Sequence, residues 1–246
     1  LRHLWNEQHL VQSDNCDYKR DCKLSTLLEW MQRAGDAHIA SLGVSLEKLL
    51  AHDMAWMLTT IDLELTRMPR YGEEFEIETW NKEPKGVQWL RDFRLFGEGH
   101  EQIGQARTVW VLVDLNKRKI LRSSAFPFEV AANTTDSIGD APARVSIPAE
   151  IPLEEAYVWK VRYSSIDMNG HLNNARFADI CLDALTTAEL DAGLNRFRIT
   201  YYQEAIMGEE ITILRSVHSG SEIYIRGVSA ESKVFFEAMI SREAHK

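Results

Sequence analysis

Apolar positions in this chain fall into two alternating textures, and the pair of textures occurs twice. Leu24, Leu27, Leu28 and Met31 recur at i, i+3, i+4 and i+7, which predicts a helix from about Leu24 to Leu42 with one apolar face. Farther on, Ile61, Leu63 and Leu65 alternate with mostly polar residues, the period of a strand. More strands are predicted at Val87–Phe96 and Ala106–Leu115. The textures then return. Phe177, Ile180, Cys181, Ala184, Leu185 and Ala188 form a second helical stripe, and Phe197, Ile199 and Tyr201 alternate as a strand. Strands follow near Ile211–Val217, Ile223–Ser229 and Val234–Ile240.

A local repeat fixes the register. Tyr71-Gly72-Glu73-Glu74-Phe75-Glu76-Ile77 resembles Met207-Gly208-Glu209-Glu210-Ile211-Thr212-Ile213, an offset of 136 residues (207 − 71). Ile61, Leu63 and Leu65 match Phe197, Ile199 and Tyr201 at the same offset. Each copy reads as one long helix followed by an antiparallel meander. A helix with a single apolar stripe must bury it, and a sheet wrapped around it is the simplest way. An α+β chain of two tandem units is therefore expected. Between them, 126–152 holds four of the six prolines and the polar run Asn133-Thr134-Thr135-Asp136-Ser137, a linker texture. The expected division is an N-terminal unit over 1–129, a linker over 130–156 and a C-terminal unit over 157–246.

Composition narrows the function. With 45% hydrophobic and 26% charged residues, the 246-residue chain is expected to fold around packed cores. The net charge of −9 and the lack of a long basic stripe argue against nucleic acid as a partner. No apolar run approaches the ~20 residues that cross a bilayer. The opening Leu1-Arg2-His3-Leu4-Trp5 lacks the signal-peptide pattern, and with Leu rather than Met in first place a few native residues are expected ahead of it. Three cysteines, Cys16, Cys22 and Cys181, with no CxxC spacing suit a reducing compartment, and a cytoplasmic protein is expected. Eight histidines show neither HExxH nor paired zinc spacing, so neither a metal nor a cofactor is expected.

The candidate chemistry lies in Asp167-Met168-Asn169-Gly170-His171-Leu172-Asn173-Asn174 and in Tyr201-Tyr202-Gln203-Glu204. Asp167, Asn169 and His171 alternate, so an extended segment would turn all three to one side. Asn173 or Asn174 would cap the following helix, whose first N–H groups could polarise a carbonyl oxygen. Glu204, flanked by Tyr201, Tyr202 and Ile206, would be partly buried and need a partner; His171 could share its proton and deprotonate water. Asp, Asn, Gly and His are also ordinary turn and capping residues. Against that reading, the corresponding part of the first copy, approximately Lys19 to Leu24, has no His, and Met68 stands where the second copy has Glu204. One active and one degenerate half is the expectation. Cys181 falls on the apolar stripe and reads as buried, and no GxSxG elbow accompanies Ser164 or Ser165.

At these residues the sequence resembles the acyl-acyl carrier protein thioesterases over nearly its whole length. Arg67-Met68-Pro69-Arg70-Tyr71-Gly72-Glu73, Thr79-Trp80, Arg91-Asp92-Phe93 and Ala106-Arg107-Thr108-Val109-Trp110-Val111 carry the likeness in the first half. The Asp167–Asn174 and Tyr201–Glu204 elements carry it in the second. The resemblance implies a double-hotdog fold and hydrolysis of the thioester joining a fatty acyl chain to carrier protein. It implies catalytic roles for Asp167, Asn169, His171 and Glu204. Plant members usually have Cys after that Glu, whereas this chain has Ala205, which would exclude a thiol nucleophile there. Plant members also carry a plastid transit segment that is not seen, so a bacterial protein is expected.

On that reading the acyl chain would enter an apolar tunnel in the first unit, with Met31, Met54, Trp56 and Met57 as candidate lining. The partner would be acyl carrier protein, and the protein a monomer or homodimer. Competing readings are a hotdog hydrolase of acyl-coenzyme A, a hydratase on the same fold, and a non-catalytic acyl-binding module.

Overall fold

A computed structural model describes residues 3–217 and 221–242. Leu1 and Arg2 of the opening segment, and positions 243–246 of the expected C-terminal unit, lie outside the described residues. The chain divides into two compact units, Leu1–Pro142 and Ala143–Lys246.

The first unit comprises β1 (Trp5–Leu10), α1 (Leu24–Ser41), α2 (Leu46–Leu50), β2 (Met54–Leu65), β3 (Glu74–Asn81), β4 (Gln88–Phe96), β5 (Gln102–Asp114) and β6 (Lys119–Leu121). Its antiparallel sheet has the order β1-β3-β4-β5-β2, with β6 added to β5. Helix α1 ends where Gly43 takes a φ of 89°, a conformation that costs glycine little. Its predicted stripe is buried: Leu24, Leu27, Leu28 and Met31 are all in the core. Trp30 stacks on His9 of β1 at 4.4 Å and meets Phe75 of β3 at 6.0 Å, so the helix lies against the sheet.

The stretch expected as a linker begins by packing on this unit. Asn133 donates its backbone N–H to the Asn81 carbonyl at 2.9 Å, and Trp80 donates its indole N–H to the Asp136 carbonyl at 3.1 Å. Ile138 N–H reaches the buried Asp92 carboxylate, which also holds Lys82 at 3.0 Å. The Arg94 guanidinium lies over the Trp80 ring, 4.7 Å from its centre.

The second unit comprises β7 (Leu153–Lys160), α3 (Arg176–Asp183), α4 (Thr187–Asp191), β8 (Arg196–Tyr201), β9 (Glu210–Ser216), β10 (Glu222–Val228) and β11 (Val234–Ser241). Its sheet order, β7-β9-β10-β11-β8, repeats that of the first unit strand for strand. Phe177 anchors α3 edge-on to Tyr201 of β8 and Phe236 of β11, at 5.4 and 5.2 Å. Tyr157 of β7 donates its hydroxyl proton to the Ile180 carbonyl at 2.6 Å. None of the described helices is long and apolar enough to cross a membrane.

One expectation fails here. The second helix is not long: α3 has eight residues, and the stripe breaks after Ala184, leaving Ala188 exposed. Thr186 explains the break. It adopts extended backbone, accepts from Glu189 N–H, and Glu189 reaches back to the Thr186 N–H, which starts α4 afresh.

Glu189 also forms a paired contact with Arg215 of β9, at 2.8 and 3.0 Å. Burial pushes its carboxyl up, but the Arg215 guanidinium and the Thr186 N–H and hydroxyl outweigh burial and hold it down at about 2. A carboxyl depressed in the fold stabilises the protein above its unfolded value and loses that stabilisation as pH falls toward 2. Glu189→Gln is expected to cost about 2–3 kcal/mol near neutrality and to flatten the loss of stability between about pH 4.5 and 2, measured by urea unfolding across that range.

Candidate active site

The Asp167 segment is a tight turn rather than an extended strand, which corrects the alternation reading. Asp167 N–H bonds the His171 carbonyl at 2.8 Å, and Gly170 N–H bonds the Asp167 carbonyl at 3.1 Å. Gly170 closes the turn with a φ of 82°. One Asp167 oxygen, Oδ1, accepts from the N–H groups of Asn169 at 2.8 Å and His171 at 3.3 Å. Three-residue closure, not strand pleat, therefore sets where Asn169 and His171 stand.

The same turn exists in the first unit, displaced by 150 residues (167 − 17). Asp17 N–H bonds the Asp21 carbonyl at 2.9 Å, and Arg20 N–H the Asp17 carbonyl at 3.1 Å. Asp17 Oδ1 accepts from Lys19 and Asp21 N–H at 2.8 and 3.1 Å. Arg20, with a φ of 67°, stands where Gly170 does. The aspartate is thus common to both turns, and the sequence match at Lys19–Leu24 began two residues too late to include it. What distinguishes the second turn is Asn169 and His171 in place of Lys19 and Asp21.

Each turn docks against the stretch leading into the Gly-Glu-Glu repeat. Cys22 N–H bonds the Pro69 carbonyl at 2.8 Å, and Leu172 N–H bonds the Ala205 carbonyl at 2.7 Å. Asp21 pairs with Arg70 as His171 pairs with Ile206 in short antiparallel bridges. The repeat is itself a turn. Gly72 and Gly208 have φ values of 82° and 92°, as a type II turn requires of its third residue. The first glutamate of each repeat locks it, Glu73 accepting from Arg70 N–H at 2.9 Å and Glu209 from Ile206 N–H at 2.7 Å.

Glu204 lies beyond the end of β8, not on the strand. Tyr202 and Gln203 N–H groups both bond the Phe235 carbonyl, and Ala205 is fully buried, so the backbone on either side of Glu204 is held. Its carboxylate Oε2 is 3.3 Å from His171 Nε2. The side chains are 49% and 32% exposed, so Glu204 is more open than its apolar neighbours suggest. In the first unit Asp21 meets Arg70 instead, at 3.3 Å, an ion pair with no imidazole.

Asn169 is exposed, and its backbone N–H is committed to Asp167. Asn173 does cap the chain entering α3: its Oδ1 accepts from Ala175 N–H at 2.8 Å and its carbonyl from Arg176 N–H at 2.9 Å. Those two N–H groups are therefore not free to meet a carbonyl oxygen. The pair His171–Glu204 is suited to taking a proton from water, and the Asn169 amide is the neighbouring polar group on the same turn.

The pattern of the acyl-ACP thioesterase N-terminal domain matches residues 2–125, and that of the C-terminal domain matches residues 151–240. The chain belongs to the acyl-ACP thioesterase family. Its fold is similar to an acyl-ACP thioesterase from Bacteroides thetaiotaomicron, with a TM-score of 0.83 and 23% identity over 98% of both chains. It is also similar to the 12:0-ACP thioesterase from Umbellularia californica, with a TM-score of 0.78 and 17% identity over 100% of this chain and 99% of that one. The fold is the double hotdog. Among curated relatives, a chloroplastic acyl-[acyl-carrier-protein] hydrolase of Cuphea viscosissima is 22% identical over 83% of this chain. A chloroplastic oleoyl-acyl carrier protein thioesterase of Arabidopsis thaliana is 21% identical over 89% of it. The chain spans only 54% and 64% of the lengths of these two relatives.

The cysteines of this family member are not poised as nucleophiles. Cys181 is fully buried in α3, and burial raises its thiol well above the ordinary value. Burial likewise pushes Cys22 up to about 12. Ala205 occupies the position after Glu204.

The unit-1 tunnel candidates separate. Trp56 lines a cavity; Met31 is buried in the α1 core, and Met54 and Met57, half-buried on β2, are not among the lining residues.

Because Asp17 and Asp167 hold equivalent turns, Asp17→Ala and Asp167→Ala are each expected to lower stability by about 1 kcal/mol in urea unfolding. An Asp167→Ala protein as stable as the wild type would show that this carboxylate does not hold its turn.

Proposed function

We propose that this protein hydrolyses the thioester between a fatty acyl chain and acyl carrier protein, releasing the free acid and the carrier thiol. The observation that carries the reading is the His171–Glu204 pair at 3.3 Å, present in one turn of a duplicated set and absent from the other. Membership of the acyl-ACP thioesterase family and the names of the plant relatives support the substrate class.

In the proposed reaction, His171 takes a proton from water while Glu204 stabilises the imidazolium that forms. The water oxygen attacks the thioester carbonyl carbon. Negative charge moves to the carbonyl oxygen, where the Asn169 side-chain amide donates to it. Collapse of this adduct breaks the carbon–sulfur bond. The thiolate leaves readily and collects the proton from His171, so little acid assistance is needed. Asp167 is a positioning residue: its Oδ1 holds the N–H groups of both Asn169 and His171. That engagement favours orientation over its action as base or nucleophile.

His171→Ala and Glu204→Gln are each expected to lower kcat by about 10²–10⁴-fold while leaving the thermal midpoint unchanged. Thiol release from carrier-linked acyl chains is the measurement, and full activity in both variants would refute the assignment. Cys181→Ala is expected to retain turnover. Faster release from the same acyl group on coenzyme A than on carrier protein would move the substrate to the coenzyme A class.

A further inference from the structure

The turn ahead of α1 sets two cysteines face to face. Cys16 and Cys22 are directly opposed in a short antiparallel bridge, and both are free thiols. Asp17 N–H bonds the Asp21 carbonyl at 2.9 Å on one side of them, and Lys23 N–H bonds the Asn15 carbonyl at 2.8 Å on the other. Their own N–H groups go elsewhere, Cys16 to the Ser13 carbonyl and Cys22 to that of Pro69. They are therefore a non-hydrogen-bonded pair. At such a pair the Cα atoms stand about 4.5 Å apart and the two side chains leave the same face of the ladder. A disulfide needs Cα atoms roughly 4.4–6.8 Å apart. In the thiol form each sulfur donates weakly to a nearby carbonyl, Cys16 Sγ to Gln12 at 3.2 Å and Cys22 Sγ to Lys23 at 3.6 Å.

The second unit shows what packing alone asks for at this place. Ile166 and Leu172 form the equivalent bridge, 150 residues on (166 − 16). The same two hydrogen bonds flank it, Asp167 N–H to the His171 carbonyl and Asn173 N–H to the Ser165 carbonyl. Two aliphatic side chains thus fill the site, one half-buried and one buried, as the two cysteines are. Cysteine is not needed at either position to fill the space, yet the first unit has it at both. The first turn also lacks the glycine of the second. Arg20 takes a φ of 67°, which costs a residue with a side chain more than it costs Gly170. The copy with the less favourable backbone is the one that a covalent closure would help to hold.

We propose that Cys16 and Cys22 form a reversible disulfide that clamps the turn in front of α1. The oxidant is a small-molecule disulfide, with glutathione disulfide as the probe. Cys16, the more exposed of the two, loses its proton to solvent and attacks one sulfur of the probe. One glutathione thiolate leaves, and a mixed disulfide remains on Cys16. Cys22, once deprotonated, attacks the Cys16 sulfur and expels the second glutathione. Two protein thiols are oxidised by two electrons, and one glutathione disulfide is reduced to two thiols. Neither thiol is activated for this chemistry. Burial and the neighbouring Asp17 and Asp21 raise Cys16, and burial pushes Cys22 up to about 12. Proximity rather than acidity drives the closing step. The bond would tie the chain leaving β1 to Lys23, whose carbonyl accepts from Leu27 N–H in the first turn of α1. It involves none of the residues assigned to thioester hydrolysis and does not rest on that reading.

The test uses the full chain, incubated folded with glutathione disulfide at about pH 8.5 and then denatured for counting of free thiols. The count is expected to fall from three to one, with Cys181 the thiol that remains. Digestion without reductant is expected to yield Cys16 and Cys22 joined, lighter by two hydrogens than the dithiol. The thermal midpoint is expected to rise by about 5 °C on oxidation and to return on adding dithiothreitol. Cys16→Ile with Cys22→Leu copies the pairing of the second unit and so keeps the packing. That double variant is expected to fold and to show no response to the probe. Three free thiols after incubation, a glutathione adduct that stays on Cys16, or a bond formed only once the chain is unfolded overturns the proposal. A disulfide that leaves the midpoint where it was, or an equal shift in the double variant, refutes the clamp.

Discussion

One carboxylate oxygen fixes the geometry on which the candidate site depends. Asp167 Oδ1 gathers two backbone N–H groups, and this closes the chain tightly enough for His171 to bridge Ile206. The bridge brings the imidazole to the carboxylate of Glu204, 33 residues farther on (204 − 171). Neither side chain is deeply buried, so the pair is held by backbone rather than by surrounding mass. The fixed parts are the hydrogen bonds of Leu172 to Ala205, of Tyr202 and Gln203 to Phe235, and of Glu209 to Ile206. A polar pair in partly solvated surroundings gains little from its own attraction. Preorganisation by the backbone is what would make it useful to a reaction.

Duplication makes the roles separable. Both units build the same aspartate turn, the same type II turn and the same docking bond, so these belong to the scaffold. On that scaffold the second unit places Asn169, His171 and Glu204 where the first places Lys19, Asp21 and Met68. The first unit puts its distinct residues elsewhere. A helix more than twice as long, 18 residues against eight, runs beside a cavity with a tryptophan wall and an arginine in its lining. One scaffold therefore presents a polar pair at a turn in one copy and a small cavity against the helix in the other.

Much of this was legible in the chain. The helical stripe from Leu24, the alternation of each later strand and the 136-residue offset of the Gly-Glu-Glu repeat set two helix-and-meander units, because side-chain periodicity is a local consequence of backbone geometry. The cluster from Asp167 to Asn174 and the separate Glu204 were visible as residue types, and the unusual pairing of amide, imidazole and carboxylates named the chemistry to look for. The wrong reading of Asp167, Asn169 and His171 as a pleated segment had a local cause: alternation by itself does not distinguish a strand from a turn closed by glycine. The break at Thr186 was also signalled in sequence by a Thr with Glu three residues on, which is a capping pair.

Sequence by itself determined the elements, their duplication and the reagents, since propensity, periodicity and turn chemistry act over a few residues. Tertiary structure alone decided three further matters. It showed that Asp17 is the counterpart of Asp167, because equivalence rests on hydrogen bonds rather than on similar letters. It showed that Glu204 reaches His171 in a half-exposed setting. It also gathered Trp56, Asn81, Trp89 and Arg91 from three strands around one space. Which side chains share a space depends on neighbours distant in the chain, and no local pattern records it.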